Sequence, residues 1–588
     1  MIVNKMKEQS GKDKKELVAN SDLGIPYTTV ANRWIVNAAR SLLGINKLNV
    51  LYGAVDDLEG LDFVSGVLRE LDAKIEISEE ALRNIPEKGA FVLISNYPHG
   101  ALDGLLLMDT VLRKRPDAKF LGNFILSKID SIKSFFVEFD PSETKGKSNY
   151  SGTRRAIEHL RGGSPLIIFP SGEISTYHGM PPRMQDGPWS DSMMRFIRKL
   201  GVPVVPAFIA GRNSMKFHVA GKMASSFRTL RMPLELLNKK GYTARIEIGS
   251  PLTSEILASI NSVKAYSDYL RLNVYCLGAR LLSSAADAVK GDARSGGTTR
   301  ERLSVSDEIL VEEIAGFKEK VLLGKEGDSE IFYIPSQRVP ELPKTAEALL
   351  AAAPAKDGKD REGAKDENKG NNLYGLLAVW DSDKGSLTAV FRVVEGGKLL
   401  NNKGMKGFSA YDDFEFSPKL NPVFRQSIEA EMLFGAEGDL RPDFLVFLRK
   451  GLWQVFEKDS GCRYVIGEAS IPRDYSSAAK WLLINCLKQF FMDKELAGRV
   501  VSRRAMPHAG KISLDKELLK SISSFDLIDK LICDIDPAYD GMPCGLKKAL
   551  SAGGKILGFA QGKEASASLN VLILADIEAS DQKGIGEE

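Results

Sequence analysis

Cysteine is scarce in this 588-residue chain: there are five, at positions 276, 462, 486, 533 and 544, and no two form a CxxC pair. That count and spacing exclude a disulfide framework and a cysteine-based zinc site, and lead us to expect buried thiols in a reducing compartment. Long apolar runs are also missing, since none reaches the ~20 residues needed to span a bilayer. Neither sign of charge dominates. Lys and Arg total 80 against 77 Asp and Glu, a net charge of +3, which argues against bulk electrostatic binding of nucleic acid. Histidine is as rare as cysteine, at 99, 159, 178, 218 and 508, so the setting of each one is informative. The first residues, Met1-Ile-Val-Asn-Lys-Met-Lys-Glu8, lack the apolar core of a secretory signal. The expectation is a cytoplasmic protein, peripheral on the inner face of a membrane.

What is present is ordinary globular composition, 43% hydrophobic and 27% charged, at a length that suggests two to four domains. Residues 1–44 read as an extension whose stretch 27–43 has the pattern of an amphipathic helix, packed on the domain or lying in a membrane interface. Residues 45–290 alternate strand-like runs (91–95, 166–169, 203–209, 244–248) with helical ones (Asp191–Leu200, Leu257–Leu282), the signature of an α/β layer fold. Residues 291–372 form a connecting region. Its stretch 306–323 reads as helical, and Ala355 to Asn371 has the composition of a disordered insert. Residues 373–577 read as α+β, with strands at Gly375–Trp380, Ser386–Val394, Tyr464–Glu468 and Val571–Leu574 and helices at 443–458 and 475–492. A polar tail, 578–588, follows.

The most informative segment is Ser95-Asn-Tyr-Pro-His-Gly-Ala-Leu-Asp-Gly104. It lies between two apolar runs, where a strand hands over to a helix, and open α/β sheets bind ligands at the carboxyl ends of strands. Asp103 follows His99 by four residues, a spacing that would put both on one side of a helix with Cβ atoms roughly 5–6 Å apart. A second apolar strand runs into Phe169-Pro-Ser-Gly-Glu173, where Gly172 allows a ligand close to the backbone. A third, Val202-Pro-Val-Val-Pro206, leads to Gly211-Arg-Asn-Ser214. Arg154 and Arg155 are read as lying near a helix N-terminus and, like Arg212, could pair with a phosphate or carboxylate. Each is equally readable as part of a solvated face.

In this order the three segments resemble the PlsC-type glycerolipid acyltransferase family over about residues 45–285. The resemblance implies transfer of an acyl group from a thioester, carried by CoA or acyl carrier protein, to a lipid hydroxyl. It implies a histidine base oriented by an aspartate, with Asn96 in the turn and Phe169, Pro170, Ser171, Gly172 and Glu173 holding the acceptor. Relatives read Asn-His-Pro-x-Gly-x-x-Asp-Gly, whereas here Tyr97 occupies the histidine position. Tyrosine, with a pKa near ~10, is a poor base at neutral pH. His99 with Asp103 is the alternative catalytic pair.

The C-terminal half resembles GNAT-type N-acyltransferases of the ornithine-lipid kind through Phe391–Val394, Phe447–Leu452, Arg463–Ile471 with Asp474–Ser477, and Gly553–Phe559. Relatives carry Glu-Leu-Gly-Arg-Ser where this chain has Glu429-Ala-Glu-Met-Leu433. Only Glu429 is carried over, as a base or amine-binding group, against its reading as a strand-edge carboxylate. The expected architecture is therefore a glycerolipid-acyltransferase-like α/β domain followed by a GNAT-like α+β domain, which looks like the bifunctional ornithine-lipid synthases. The expected function is an acyltransferase of membrane lipid synthesis acting on a lyso-lipid or aminolipid at a membrane surface. It would have no bound cofactor, no metal and no nucleic-acid partner. The competing reading is a catalytically impaired lipid-binding scaffold on the same fold.

Overall fold

Strand β2 (Val92–Ser95) is buried at every residue, as a strand covered on both faces must be. The sheet of the first unit is built around it. In the computed structural model the described residues are 17, 37, 40–41, 43–122, 129–137, 147–178, 183–215, 217–218, 232–289, 322–326, 329–334, 373–383, 386–435, 461–504, 516–522, 524–537, 539–562 and 568–576. The chain divides into two units, Met1–Leu282 with Ser513–Ser521, and Ser283–Ile512 with Ile522–Glu588. Both are mixed α/β.

The first unit contains β1 (Lys74–Glu76), β2, β3 (Lys119–Leu121), β4 (Phe136–Val137), β5 (Leu166–Ile168), β6 (Thr176–His178), β7 (Arg183–Gln185), β8 (Val204–Ile209) and β9 (Thr243–Ile248). Its main sheet has the order β1-β9-β8-β2-β5-β3-β4. Strands β8, β2, β5, β3 and β4 run parallel, and β9 is antiparallel to β8. Strands β6 and β7 form a separate hairpin. The expected strands and the helix Asp191–Leu200 are present. The expected helix Leu257–Leu282 is in fact two, Ser254–Ala258 and Val263–Val289, because Thr253 caps the first turn through its side chain and that helix stops at Ser259.

Helix Ala101–Leu112 follows β2 directly, and Leu102, Leu105, Leu106, Leu107, Met108 and Val111 are all buried. An apolar surface on every side marks a helix sunk in a core. Gly100 before it takes φ 87°, a left-handed conformation natural to glycine, and turns the chain from strand to helix. Asn96 fixes the preceding turn. Its amide donates to the Ile209 carbonyl at 2.9 Å and accepts from the Ile209 amide at 2.8 Å, adding a side-chain rung to the sheet where β2 has ended.

The second unit has an eight-stranded sheet, β10-β11-β12-β13-β15-β16-β19-β18. Its strands are β10 (Leu322–Glu326), β11 (Ser329–Ile334), β12 (Gly375–Asp381), β13 (Ser386–Glu395), β15 (Ser427–Gly435), β16 (Tyr464–Ile471), β18 (Lys555–Gln561) and β19 (Leu569–Asp576). A two-stranded ribbon pairs β14 (Phe414–Phe416) with β17 (Val500–Ser502). The four strands expected from sequence lie within β12, β13, β16 and β19, and the expected 475–492 helix is Ser477–Phe490. Residues 322 and 323, read as the end of a helix, open strand β10 instead. The rest of that stretch, the insert Ala355 to Asn371, the 443–458 helix and most of 27–43 lie outside the described residues. Cys276, Cys462 and Cys486 are buried thiols in no disulfide, whereas Cys533 and Cys544 are only half-buried, which corrects the expectation for those two.

Replacing Asn96 by Ala leaves the buried Ile209 amide and carbonyl unpaired, at about 1–3 kcal/mol for each group. We expect Asn96→Ala to lose roughly 2–6 kcal/mol of unfolding free energy, measured as a shift of the urea midpoint.

Candidate active site

At the carboxyl end of β2, His99 and Asp103 have fully buried side chains, and His99 Nδ1 lies 2.8 Å from Asp103 Oδ1. The second carboxylate oxygen accepts the backbone N–H of His99 at 2.6 Å and of Gly100 at 2.8 Å. His99 therefore precedes the helix, and the pair is not an on-helix i,i+4 pair as the spacing suggested. Asp103 sits in the helix's first turn, where a carboxylate satisfies orphan amides and faces the positive end of the dipole. A carboxylate only accepts, so Nδ1 carries a proton, and in the neutral imidazole Nε2 presents the lone pair. Nε2 is buried and has no hydrogen-bond partner among the described residues.

Tyr97, in the histidine position of the resembled family, is 5% exposed with its ring 4.4 Å from that of Phe169. Burial, reinforced by the Asp103 charge, pushes its phenol well above the ordinary range. Its ring packs within the core of the first unit. Its backbone ties two segments together, with the carbonyl accepting from Ser175 N at 2.8 Å and the amide donating to Asp186 at 3.2 Å.

Phe169 and Pro170 are buried, while Gly172 and Glu173 are exposed. Gly172 has φ 64°, and the Ser171 hydroxyl donates to the Glu173 carbonyl at 2.7 Å. This turn is joined to the His99 turn through Ser175 and Tyr97. Arg154 and Arg155 lie in the middle of helix Lys147–Arg161, not at its start. Both are exposed, and Arg154 pairs with Glu158 at 2.8 Å, so the solvated-face reading holds for them. Arg212 is exposed at the end of the segment following β8, and its guanidinium donates to the Tyr177 hydroxyl at 3.1 Å.

Several neighbours carry no recognisable motif. Buried Asp186 accepts from Ser175 Oγ at 2.6 Å and Trp189 Nε1 at 3.0 Å, as well as from Tyr97 N, and burial raises its pKa. Residues 210–214 form a strap beside the imidazole, held by Tyr242 OH to Ala210 O at 2.9 Å, Lys239 Nζ to Arg212 O at 2.6 Å, and Ser214 N and Oγ to Glu235. Asn213 Nδ2 reaches the His99 carbonyl at 3.4 Å. Sequence offered Gly211-Arg-Asn-Ser214 as a strand end, but nothing in it marked Asp186, Glu235, Lys239 or Tyr242.

In the second unit Glu429 is 5% exposed on β15, an inner strand between β13 and β16. This overturns the strand-edge reading. Its carboxylate accepts from Ser409 N at 2.6 Å and Ser409 Oγ at 2.8 Å. Burial outweighs these bonds and pushes its pKa up to about 7. The pairing of β15 with β16 is parallel and spans only Ser427 to Glu429 against Tyr464 to Ile466. Among the described residues no group of three or more His, Cys, Asp or Glu could hold a metal ion.

Residues 23–284 match the family model described as an acyltransferase. Two curated relatives, both lyso-glycine lipid O-acyltransferases, are each 24% identical to this chain. The one from Bacteroides thetaiotaomicron aligns over 254 residues, 42% of this chain and 90% of its own length. The one from Phocaeicola vulgatus aligns over 270 residues, 45% of this chain and 94% of its own.

Glu429 has a measurable consequence. A carboxyl whose folded pKa is raised binds its proton more tightly when folded, so stability falls as pH rises from the unfolded value of 4.5 to about 7, by at most about 3 kcal/mol. We expect Glu429→Gln to remove this decline, seen by comparing urea unfolding of the variant and the parent between those two pH values.

Proposed function

We propose that this chain is an acyltransferase and that the reaction belongs to the first unit, which holds nearly all of the matched residues 23–284. We propose that this unit moves a fatty acyl group from a thioester of CoA or acyl carrier protein to the hydroxyl of a lyso-lipid or aminolipid presented at a membrane surface. The observation that carries this reading is the buried His99–Asp103 pair, whose Nε2 has no partner among the described residues.

The roles follow from position. The acceptor O–H gives its proton to Nε2 as its oxygen attacks the thioester carbonyl. The C–S bond then breaks, and Nε2 returns the proton to the departing sulfur. Asp103 holds the tautomer and stabilises the imidazolium formed between these steps. Asn96 fixes the turn, and the exposed Gly172–Glu173 edge of the Phe169–Glu173 turn offers a surface for the acceptor. The lyso-glycine lipid named for both relatives favours an acceptor with an amino-acid head group, and Arg212 at the exposed rim suits its carboxylate. No described helix is long and apolar enough to cross a membrane. A peripheral placement on the inner face belongs to the same proposal.

A second reaction is favoured by one feature of the second unit. With a pKa near 7, Glu429 is partly ionised at neutral pH and can take a proton from an ammonium group. Beyond it the parallel strands part company. These features support N-acylation of an amino acid by a GNAT-like unit, which would supply the hydroxylated acceptor to the first.

We expect His99→Ala to lower acyl transfer by about 10²–10⁴-fold, Tyr97→Phe to stay near the parent rate, and Glu429→Gln to spare O-acylation while ending N-acylation. Lipid mass spectrometry of a host lacking aminolipids, expressing each variant with and without an added lyso-lipid acceptor, reads all three. An unchanged lipid profile in His99→Ala would refute the assignment.

A further inference from the structure

The side of the His99 imidazole that faces away from Asp103 meets the strap. A Cβ built on Gly211 would overlap both His99 Nε2 and the Tyr242 hydroxyl, so the Gly211 backbone is packed directly against Nε2. This accounts for a buried nitrogen with no hydrogen-bond partner among the described residues: a Cα, not a polar atom, stands before it. A general base needs the reacting oxygen within about 2.6–3.2 Å, and the strap occupies that place. The base is assembled here but covered.

The cover is held differently from the sheet beside it. Gly211 and Arg212 are exposed on their outer side, and among the described residues 211–213 make no backbone–backbone hydrogen bond. Side chains of the stretch 232–242 hold residues 210–214 instead: Tyr242 on Ala210 O, Lys239 on Arg212 O and Glu235 on Ser214. The Arg212 guanidinium adds a tie to the Tyr177 hydroxyl. A segment held by a few side-chain bonds, with water on its far side, opens at lower free energy than the sheet that carries it. Glycine at 211, with φ 138°, lets the backbone come this close.

We propose that residues 210–214 are a gate over His99, closed in the resting protein and latched by Tyr242 and Lys239, which opens for the acceptor and otherwise keeps the base from water. This rests on the acyl-transfer reading given above. Beside a bound thioester, an uncovered base would take a proton from water as well as from an alcohol. The water oxygen would attack the carbonyl, the C–S bond would break, and Nε2 would pass the proton to sulfur, leaving a free acid and a thiol with nothing acylated. A cover that excludes water until the acceptor arrives prevents that loss. Tyr242 and Lys239 are positioning residues that act through the strap. The Lys239 ammonium lies 4.8 Å from the Tyr242 ring centroid, and that ring stands edge-on to the imidazole at 5.2 Å, so latch and base form one stack.

Diethyl pyrocarbonate acylates a free imidazole nitrogen, and Asp103 occupies Nδ1, so labelling of His99 in the full chain, read by peptide mass spectrometry, reports how often the gate opens. Without substrate, the parent His99 should react far more slowly than N-acetylhistidine. Tyr242→Phe should speed it about fivefold and Lys239→Met about tenfold, as the loss of one neutral and one charged hydrogen bond implies. Gly211→Ala, which forces the strap off the imidazole, should bring it near the rate of N-acetylhistidine. His159, on helix Lys147–Arg161, should keep its parent rate throughout. Acceptor-free hydrolysis of C16 thioesters of CoA and acyl carrier protein should rise with the labelling. A parent His99 as reactive as N-acetylhistidine overturns the proposal. So do Tyr242→Phe and Lys239→Met proteins that label at the parent rate, variants in which His99 and His159 speed up together, and faster labelling without faster hydrolysis. An active His99→Ala protein refutes the acyl-transfer role of His99 and leaves the labelling rates standing.

Discussion

The carboxylate of Asp103 is the constraint on which the first unit's site depends. It is wholly removed from water, and an unpaired buried carboxylate would cost several kcal/mol. Three donors meet it: two successive backbone amides and the imidazole Nδ1. The amides belong to the turn that the left-handed Gly100 creates, and the helix beginning at Ala101 adds its dipole. One acidic side chain therefore caps a core helix, closes the turn after β2 and orients the histidine. Asp186 plays the matching part on the other side of Tyr97, tying the β2 turn, the Phe169–Ser175 segment and Trp189 to a single buried carboxyl group.

Much of this was legible in the sequence, for a physical reason. Buried parallel strands must be apolar throughout, so β2, β5 and β8 stand out as runs ending in turn residues. The polar groups at their carboxyl ends stand out in turn. The pairing of His99 with Asp103 was visible in the spacing, although its geometry was not: residue separation alone does not say that the helix starts two residues after His99. The departure at position 97 was also legible, but its meaning was not, since packing on Phe169 is a tertiary fact.

The arginines show the converse. A basic residue near a ligand strand reads the same whether it faces a substrate or water, and only the fold put Arg154 and Arg155 on an exposed mid-helix surface. The strap's anchors were invisible because Glu235, Lys239 and Tyr242 come from a stretch with no motif. Each takes its importance from a backbone carbonyl or amide that the sequence does not mark. Glu429 reads as a plain strand carboxylate until the sheet order places it between β13 and β16.

The Asn96 rung also bears on how the protein comes to be folded. Its partner peptide is 113 residues downstream, and both neighbours of β2 in the sheet arrive later in the chain. Local structure alone cannot hold the β2 turn, and loop closure over such a separation is slow compared with forming a helix. On the ribosome, then, the first hundred residues emerge with the turn after β2 lacking its rung, and that rung closes only when β8 docks.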